Sequence, residues 1–246
     1  MHCHLGFFPD DALPDALAGV AGLLNCTVTP DEYRATRGRF AAFPQVRTAI
    51  GLHPWYMDPD EGIALAQADA LCQHIEAGTA VGEVGLDFGP RHGHTCRVQT
   101  EAFRRIVRRA AEAGDCPLSI HSVQATQAVL DILDDAGFFS RGVAIFHWYS
   151  GSSAHLTRAI AAGARFSANP RMLVTKRGRE YLRIIPEGRL LCETDFPAED
   201  GSCPVPMAQE LERLVAGIAA IRNVEAAALA DHLAANARAL LCPQPL

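Results

Sequence analysis

The residues with the most chemical potential stand at the very start of the chain: His2 and His4, separated by Cys3. On an extended strand alternate side chains share a face, so both imidazoles can grip one cation from the same side. Further along, apolar runs end in groups of the same kind: His53, Glu83, His121, His147 and Asp195. Four imidazoles (His2, His4, His121, His147) with two carboxylates (Glu83, Asp195) suffice for two divalent cations. Nitrogen donors favour zinc; magnesium, which prefers oxygen, and manganese are the other candidates. Two such ions about 3.5–4 Å apart can clamp the attacking and leaving oxygens of a phosphoryl transfer. Glu83, with two oxygens to give, is the expected bridge. Asp195 is expected to bind one ion and to accept a proton from a nucleophilic water, making Glu83 and Asp195 the catalytic carboxylates. His53, followed by Pro54 and Trp55, is placed to touch substrate phosphate; the alternative is a loop residue packed on Trp55.

Something must bring these scattered groups together. Short apolar runs recur at His2–Leu5, Leu23–Val28, Val46–Leu52, Thr79–Val84, Pro117–His121, Gly142–Phe146, Ala164–Ala168 and Leu190–Cys192. Amphipathic segments lie between them, for example 62–77, 98–113, 125–135 and 154–162, followed by 207–221 and 224–241. Eight strands alternating with helices predict an α/β fold, a (β/α)8 barrel spanning residues 1–246 as one domain. The alternative is an open doubly wound sheet, but no Gly-x-Gly-x-x-Gly follows the first run, so its nucleotide-binding version has no support. In a barrel every strand tip opens on one face, where the candidate ligands would meet.

Bulk properties narrow the function. The 246 residues are 49% hydrophobic and carry a net charge of −6, which argues against broad charge-driven adhesion to nucleic acid. Metals at the site could still supply local positive charge. The apolar runs are too short to cross a bilayer and no leader pattern opens the chain, so a cytoplasmic location away from membranes is expected. Eight scattered cysteines without a Cys-x-x-Cys pair read as reduced thiols.

The motifs resemble those of the TatD family of metal-dependent hydrolases, in the amidohydrolase superfamily. They are HCHL at His2–Leu5, GLHP at Gly51–Pro54, GEVGLD at Gly82–Asp87, SIHS at Ser119–Ser122, HWYSG at His147–Gly151 and ETDFP at Glu193–Pro197, with a closing Asn236-x-x-x-Leu240. The resemblance implies a TIM-like barrel, two metals and a DNase activity, commonly 3′→5′ exonucleolytic, on DNA. It places His2, His4, Glu83 and Asp195 on one metal and Glu83, His121 and His147 on the other. The segments His147–Tyr149 and 166–173 resemble, more weakly, a branch found in anti-phage defence clusters, which implies a defence-system complex as a partner. Three departures stand out. The family usually carries several residues, including an Asp, before the first His, so either the start lies upstream of Met1 or the first strand is stunted. Val123-Gln124-Ala125 stands where Arg-Asp-Ala is usual. Gly6 replaces the usual Asp.

Other candidates read as scaffold. His92-Gly93-His94 lies in a Gly/Pro-containing loop that could still reach substrate. Arg104, Arg105, Arg108 and Arg109 fit the solvated face of an outer helix better than a DNA track. His74, His155 and His232 read as helix-surface residues. Cys3 points away from its histidine neighbours, whereas Glu193 shares the face of Asp195 and could support a ligand. Three functions compete: a two-metal phosphodiesterase acting on single-stranded or frayed DNA ends, an amidohydrolase cleaving a C–N or ester bond in a small molecule, and an impaired scaffold. Many binuclear amidohydrolases bridge their metals with a carbamylated lysine on strand four. Here strand four carries Glu83 and the only lysine is Lys176, which favours the first reading.

Overall fold

The computed structural model describes residues 2–197 and 206–241; Met1, Cys203 and Cys242 lie outside them. Eight strands form one parallel sheet in sequence order: β1 (His2–Cys3), β2 (Leu23–Cys26), β3 (Val46–Leu52), β4 (Val81–Asp87), β5 (Pro117–Val123), β6 (Val143–His147), β7 (Arg165–Ala168) and β8 (Leu190–Cys192). The helices are α1 (Leu13–Leu17), α2 (Pro30–Thr36), α3 (Glu61–Cys72), α4 (Cys96–Ala113), α5 (Thr126–Asp135), α6 (Ser153–Ala162), α7 (Lys176–Ile184), α8 (Met207–Arg222) and α9 (Ala226–Leu241). Parallel strands flanked by helices bury both faces, which is why all seven residues of β4 are buried.

The barrel is nearly closed, and its seam falls between the ends of the chain. β1 is only two residues long, paired to β2 through His2–Leu24 and Cys3–Asn25. On its other side the segment after β8 takes over. Asp195 N donates to His2 O at 3.2 Å and His4 N to Phe196 O at 2.7 Å. The stunted strand therefore has backbone partners on both flanks. Outside the seam Cys3, Leu5, Phe8, Leu13, Leu17, Phe40 and Met207 form a small apolar cluster, so Cys3 does face away from its histidine neighbours.

Local chemistry starts the helices where the loops need them. Thr29, Asp60, Ser152 and Thr175 each precede a helix, and their side chains accept the backbone N–H three residues on. Two arginines of α4 brace neighbouring elements: Arg105 pairs with Asp69 of α3, and Arg109 donates to Ile75 O. Two expectations need correction. His4 lies just beyond the strand, in front of a turn at Leu5–Phe7. β4 runs to Asp87, so Glu83 sits inside the strand and Asp87 occupies its tip. With all seven residues buried, that strand carries no inside–outside alternation to mark its end.

Candidate metal centre

Glu83 is the hub. Its position depends on a close approach of three strands: Glu83 N donates to Thr27 O at 2.9 Å, reaching past β3 to the segment after β2. Gly51 of β3 makes this possible, because a Cβ there would lie 1.8 Å from Thr27 O and 2.7 Å from Glu83 N. Gly85 serves the other flank, at φ +143° and with room for a Cβ only 2.1 Å from His121 O.

Each oxygen of Glu83 faces its own set of imidazoles. Oε2 lies 3.2 Å from both His2 Nε2 and His4 Nε2. These two nitrogens are 3.2 Å apart, and Asp195 Oδ1 lies 3.4 Å from each. Oε1 lies 2.8 Å from His147 Nε2, 2.9 Å from His121 Nδ1 and 3.3 Å from His53 Nε2. All seven sequence-predicted site residues therefore meet at the same mouth of the barrel. His2, His4, Glu83 and Asp195 form one group able to hold an ion, and His53, Glu83 and His121 form another. His147, stacked on His2 with ring centres 4.4 Å apart, bridges them.

The far nitrogens of the rings are fixed by partners that sequence reasoning largely missed. His121 Nε2 lies 3.2 Å from Asp87 Oδ2, and His147 Nδ1 lies 3.4 Å from Glu193 Oε1. His4 Nδ1 donates to Cys26 O at 2.8 Å, and His2 Nδ1 sits 2.7 Å from Ser119 Oγ. Glu193 is fully buried; Asn169 Nδ2 donates to its Oε1 at 3.3 Å, while its Oε2 has no partner among the described residues. Asp87 belongs to the GEVGLD motif, and its place at the end of an acidic apolar strand was the signal available. Asn169 and Ser119 gave none.

Because a carbonyl or carboxylate only accepts, the far nitrogens of His4, His121 and His147 keep a proton, and their near nitrogens become lone-pair donors when an ion replaces the proton that faces Glu83. His53 is the reverse. The backbone N–H of Trp55 donates to its Nδ1 at 3.1 Å, so the neutral ring carries its proton on Nε2, facing Glu83. It stands inside the second group by distance but apart from it by proton placement.

The electrostatics follow. Burial disfavours the Glu83 carboxylate, yet electrostatic attraction to the surrounding imidazoles, His53, His147 and His2 foremost, holds it well below the usual range. Burial likewise opposes protonated His4, but bonds to Asp195 and Glu83 hold its pKa up to about 10. His121 and His147 are raised against the same burial cost, the first by Asp87 and Glu83, the second by Glu83 and Glu193. Burial pushes His53 down to about 4 and also lowers His2. Asp195, opposed by burial, is brought down to about 2 chiefly by His4. The centre draws positive charge to itself.

The departures at Gly6 and Val123 have visible surroundings. A Cβ on Gly6 would fall 1.9 Å from Glu32 Oε1, so any side chain there must displace Glu32. Val123 and Gln124 line a cavity of about 840 Å³ with Phe88, Ser152, Arg177 and Tyr181, beside the centre and containing none of its ligand candidates. Around the mouth, Phe7, Trp55 and Tyr56 are exposed aromatics whose rings neighbour His4 or His53.

A parallel eight-stranded barrel with histidines and carboxylates converging at its mouth defines a metal-dependent hydrolase. The chain belongs to the TatD family: residues 1–242 match the family model "TatD related DNase". It is 31% identical over 189 residues to "Uncharacterized metal-dependent hydrolase TatD" of Mycobacterium tuberculosis, covering 73% of this chain and 70% of that one. It is 30% identical over 188 residues to "3'-5' ssDNA/RNA exonuclease TatD" of Citrobacter rodentium, covering 73% and 68%. Among solved structures, the TatD homologue YJJV of Escherichia coli K12 superposes with a TM-score of 0.81 at 22% identity, over 100% of this chain and 97% of that one. A Saccharomyces cerevisiae amidohydrolase superposes with a TM-score of 0.71 at 16% identity, over 92% and 90%. Among the described residues no helix is long and apolar enough to cross a membrane.

Proposed function

We propose that this chain is a phosphodiesterase that uses two divalent cations to cut DNA from an end, on single strands or frayed duplexes, in the 3′→5′ direction. The observation that carries this reading is the division of Glu83 between two groups of donors. In the group of His2, His4, Glu83 and Asp195 the donor separations of 3.2–3.4 Å suit a tetrahedral ion. Bonds of about 2.0–2.1 Å space such donors about 3.3 Å apart. This fit, and the nitrogen-rich donor set, favour zinc over magnesium or manganese. His2, His4 and Asp195 would hold one ion, His121 and His147 the other, and Glu83 both.

Such ions would supply Lewis acidity to a phosphodiester and acidify a nearby water. The chain's residues do the rest. Asp195, with a side chain 24% exposed, is the most open of the ligand candidates, and its low pKa keeps it ready to accept a proton from water. Neutral His53 directs its Nε2 proton into the centre and donates a hydrogen bond to a phosphate oxygen. Asp87 and Glu193 hold the rings of His121 and His147. The exonuclease name printed for the Citrobacter relative and the exposed aromatics at the mouth support a single-stranded end, since bases stack readily on such rings. The small-molecule alternative loses support because Lys176, the only lysine, opens α7 rather than joining β4.

The test combines metal analysis with digestion of 5′-labelled single-stranded DNA by the wild type and by Glu83→Ala. Two equivalents of metal and a ladder shortening from the 3′ end are expected, both lost in the variant. Full metal content without cleavage of any nucleic acid would overturn the reading.

A further inference from the structure

Trp55 is 41% exposed, yet it is firmly built in. Its indole N–H donates to Asp87 Oδ2 at 2.6 Å. The ring of His92 lies parallel to it, 5.0 Å away and tilted by only 13°. His92 is itself secured: its carbonyl accepts from Gln99 Nε2 and Thr95 Oγ1, both at 2.9 Å, and Gln99 Oε1 accepts Asp87 N. The polar edge of the indole is thus satisfied while much of its apolar surface stays in water. Water-exposed indole costs free energy unless something covers it. The rings of His53 and His121 stand edge-on to Trp55, their centres 5.1 and 5.9 Å from its own, so whatever covers it lies beside the proposed scissile phosphate.

We propose that Trp55, braced by His92 and Asp87, is the platform on which the nucleobase adjoining the scissile phosphate stacks. This rests on the nuclease reading and adds the part of the nucleotide that is gripped. A flat, rigid, uncharged ring accepts any base without reading its edge, which suits sequence-independent trimming of a strand. Asp87 also gives the platform a fixed relation to the chemistry, because one carboxylate oxygen holds both the indole and His121. Trp55 is in this sense a substrate-positioning residue.

The test compares oligothymidylate with the same oligomer carrying an abasic residue at its cleaved end, using the metal-loaded full chain. Wild type is expected to favour the base-bearing end about tenfold or more in kcat/KM, mainly through KM. Trp55→Ala should lose that preference, its loss on the base-bearing oligomer exceeding its loss on the abasic one by about the same factor. Trp55→Phe, which keeps a ring but loses the bond to Asp87, should retain most of it. Equal losses on both oligomers would reduce Trp55 to a brace for Asp87 and overturn the proposal. Binding supplies a readout free of catalysis. In Trp148→Phe only Trp55 remains fluorescent among tryptophans, and oligothymidylate, not the abasic oligomer, should quench it. Quenching without cleavage would uphold the platform and remove the nuclease reading; cleavage without quenching would do the reverse.

Discussion

The two halves of the centre are built differently. On the side of β5 and β6, His121 and His147 stand on strands of seven and five residues, and buried carboxylates, Asp87 and Glu193, back their far nitrogens. On the seam side, His2 and His4 stand on or beside a two-residue strand. Their backing is a serine hydroxyl and a backbone carbonyl. Carboxylate backing makes an imidazole a stronger donor and fixes its orientation. The same donor types thus yield one rigid, basic half and one held by the meeting of chain ends. An ion in the seam half should leave first.

The largest expected effect breaks the comparison outright. Glu83→Ala removes the carboxylate shared by both halves and should abolish binding of both ions, with hydrolysis falling to background. Retention of one full metal equivalent would show that Glu83 does not join them. Next, Asp87→Asn and Glu193→Gln should each weaken metal affinity or activity about 10–100-fold. Ser119→Ala, on the seam side, should cost less than either. Chelator titration of metal content reads this directly; an equal loss in all three would erase the distinction.

Gly51→Ala sits where the halves touch, and a Cβ there meets backbone. Overpacking costs about 1–3 kcal/mol or more, lowering Tm by several degrees at this chain length. An unchanged melting curve would mean that the close approach of the three strands is not needed.

The remaining test is pH dependence. The pKa of His4 is raised in the folded protein to about 10 from an ordinary 6.5. The stability it contributes is fully present below about 6.5 and lost as pH climbs through 10. Metal-free protein should therefore lose Tm between pH 7 and 10. Protein loaded with metal, in which an ion replaces that proton, should not; parallel curves would contradict this. For Asp195, lowered to about 2, the contribution is present above about 3.9 and lost as pH falls through 2.

Most of the centre was legible because its residues sit near strand ends, where alternation and the βα rhythm announce them. His2, His4, His121, His147 and Asp195 all followed from that logic. The limit appeared at β4: its run of buried residues conceals its length, so Asp87 at the tip went unassigned while Glu83 was placed there instead. The tautomer of His53 was invisible for another reason. It depends on one backbone N–H, at Trp55, whose direction only the folded turn defines. Ser119 and Asn169 act through distances across the barrel, which no local pattern encodes.

The seam carries one more implication. Its ligand set spans His2 to Asp195, so a ribosome must finish almost the whole barrel before those four donors can assemble. A growing chain, or one broken off early, could not bring these four donors together.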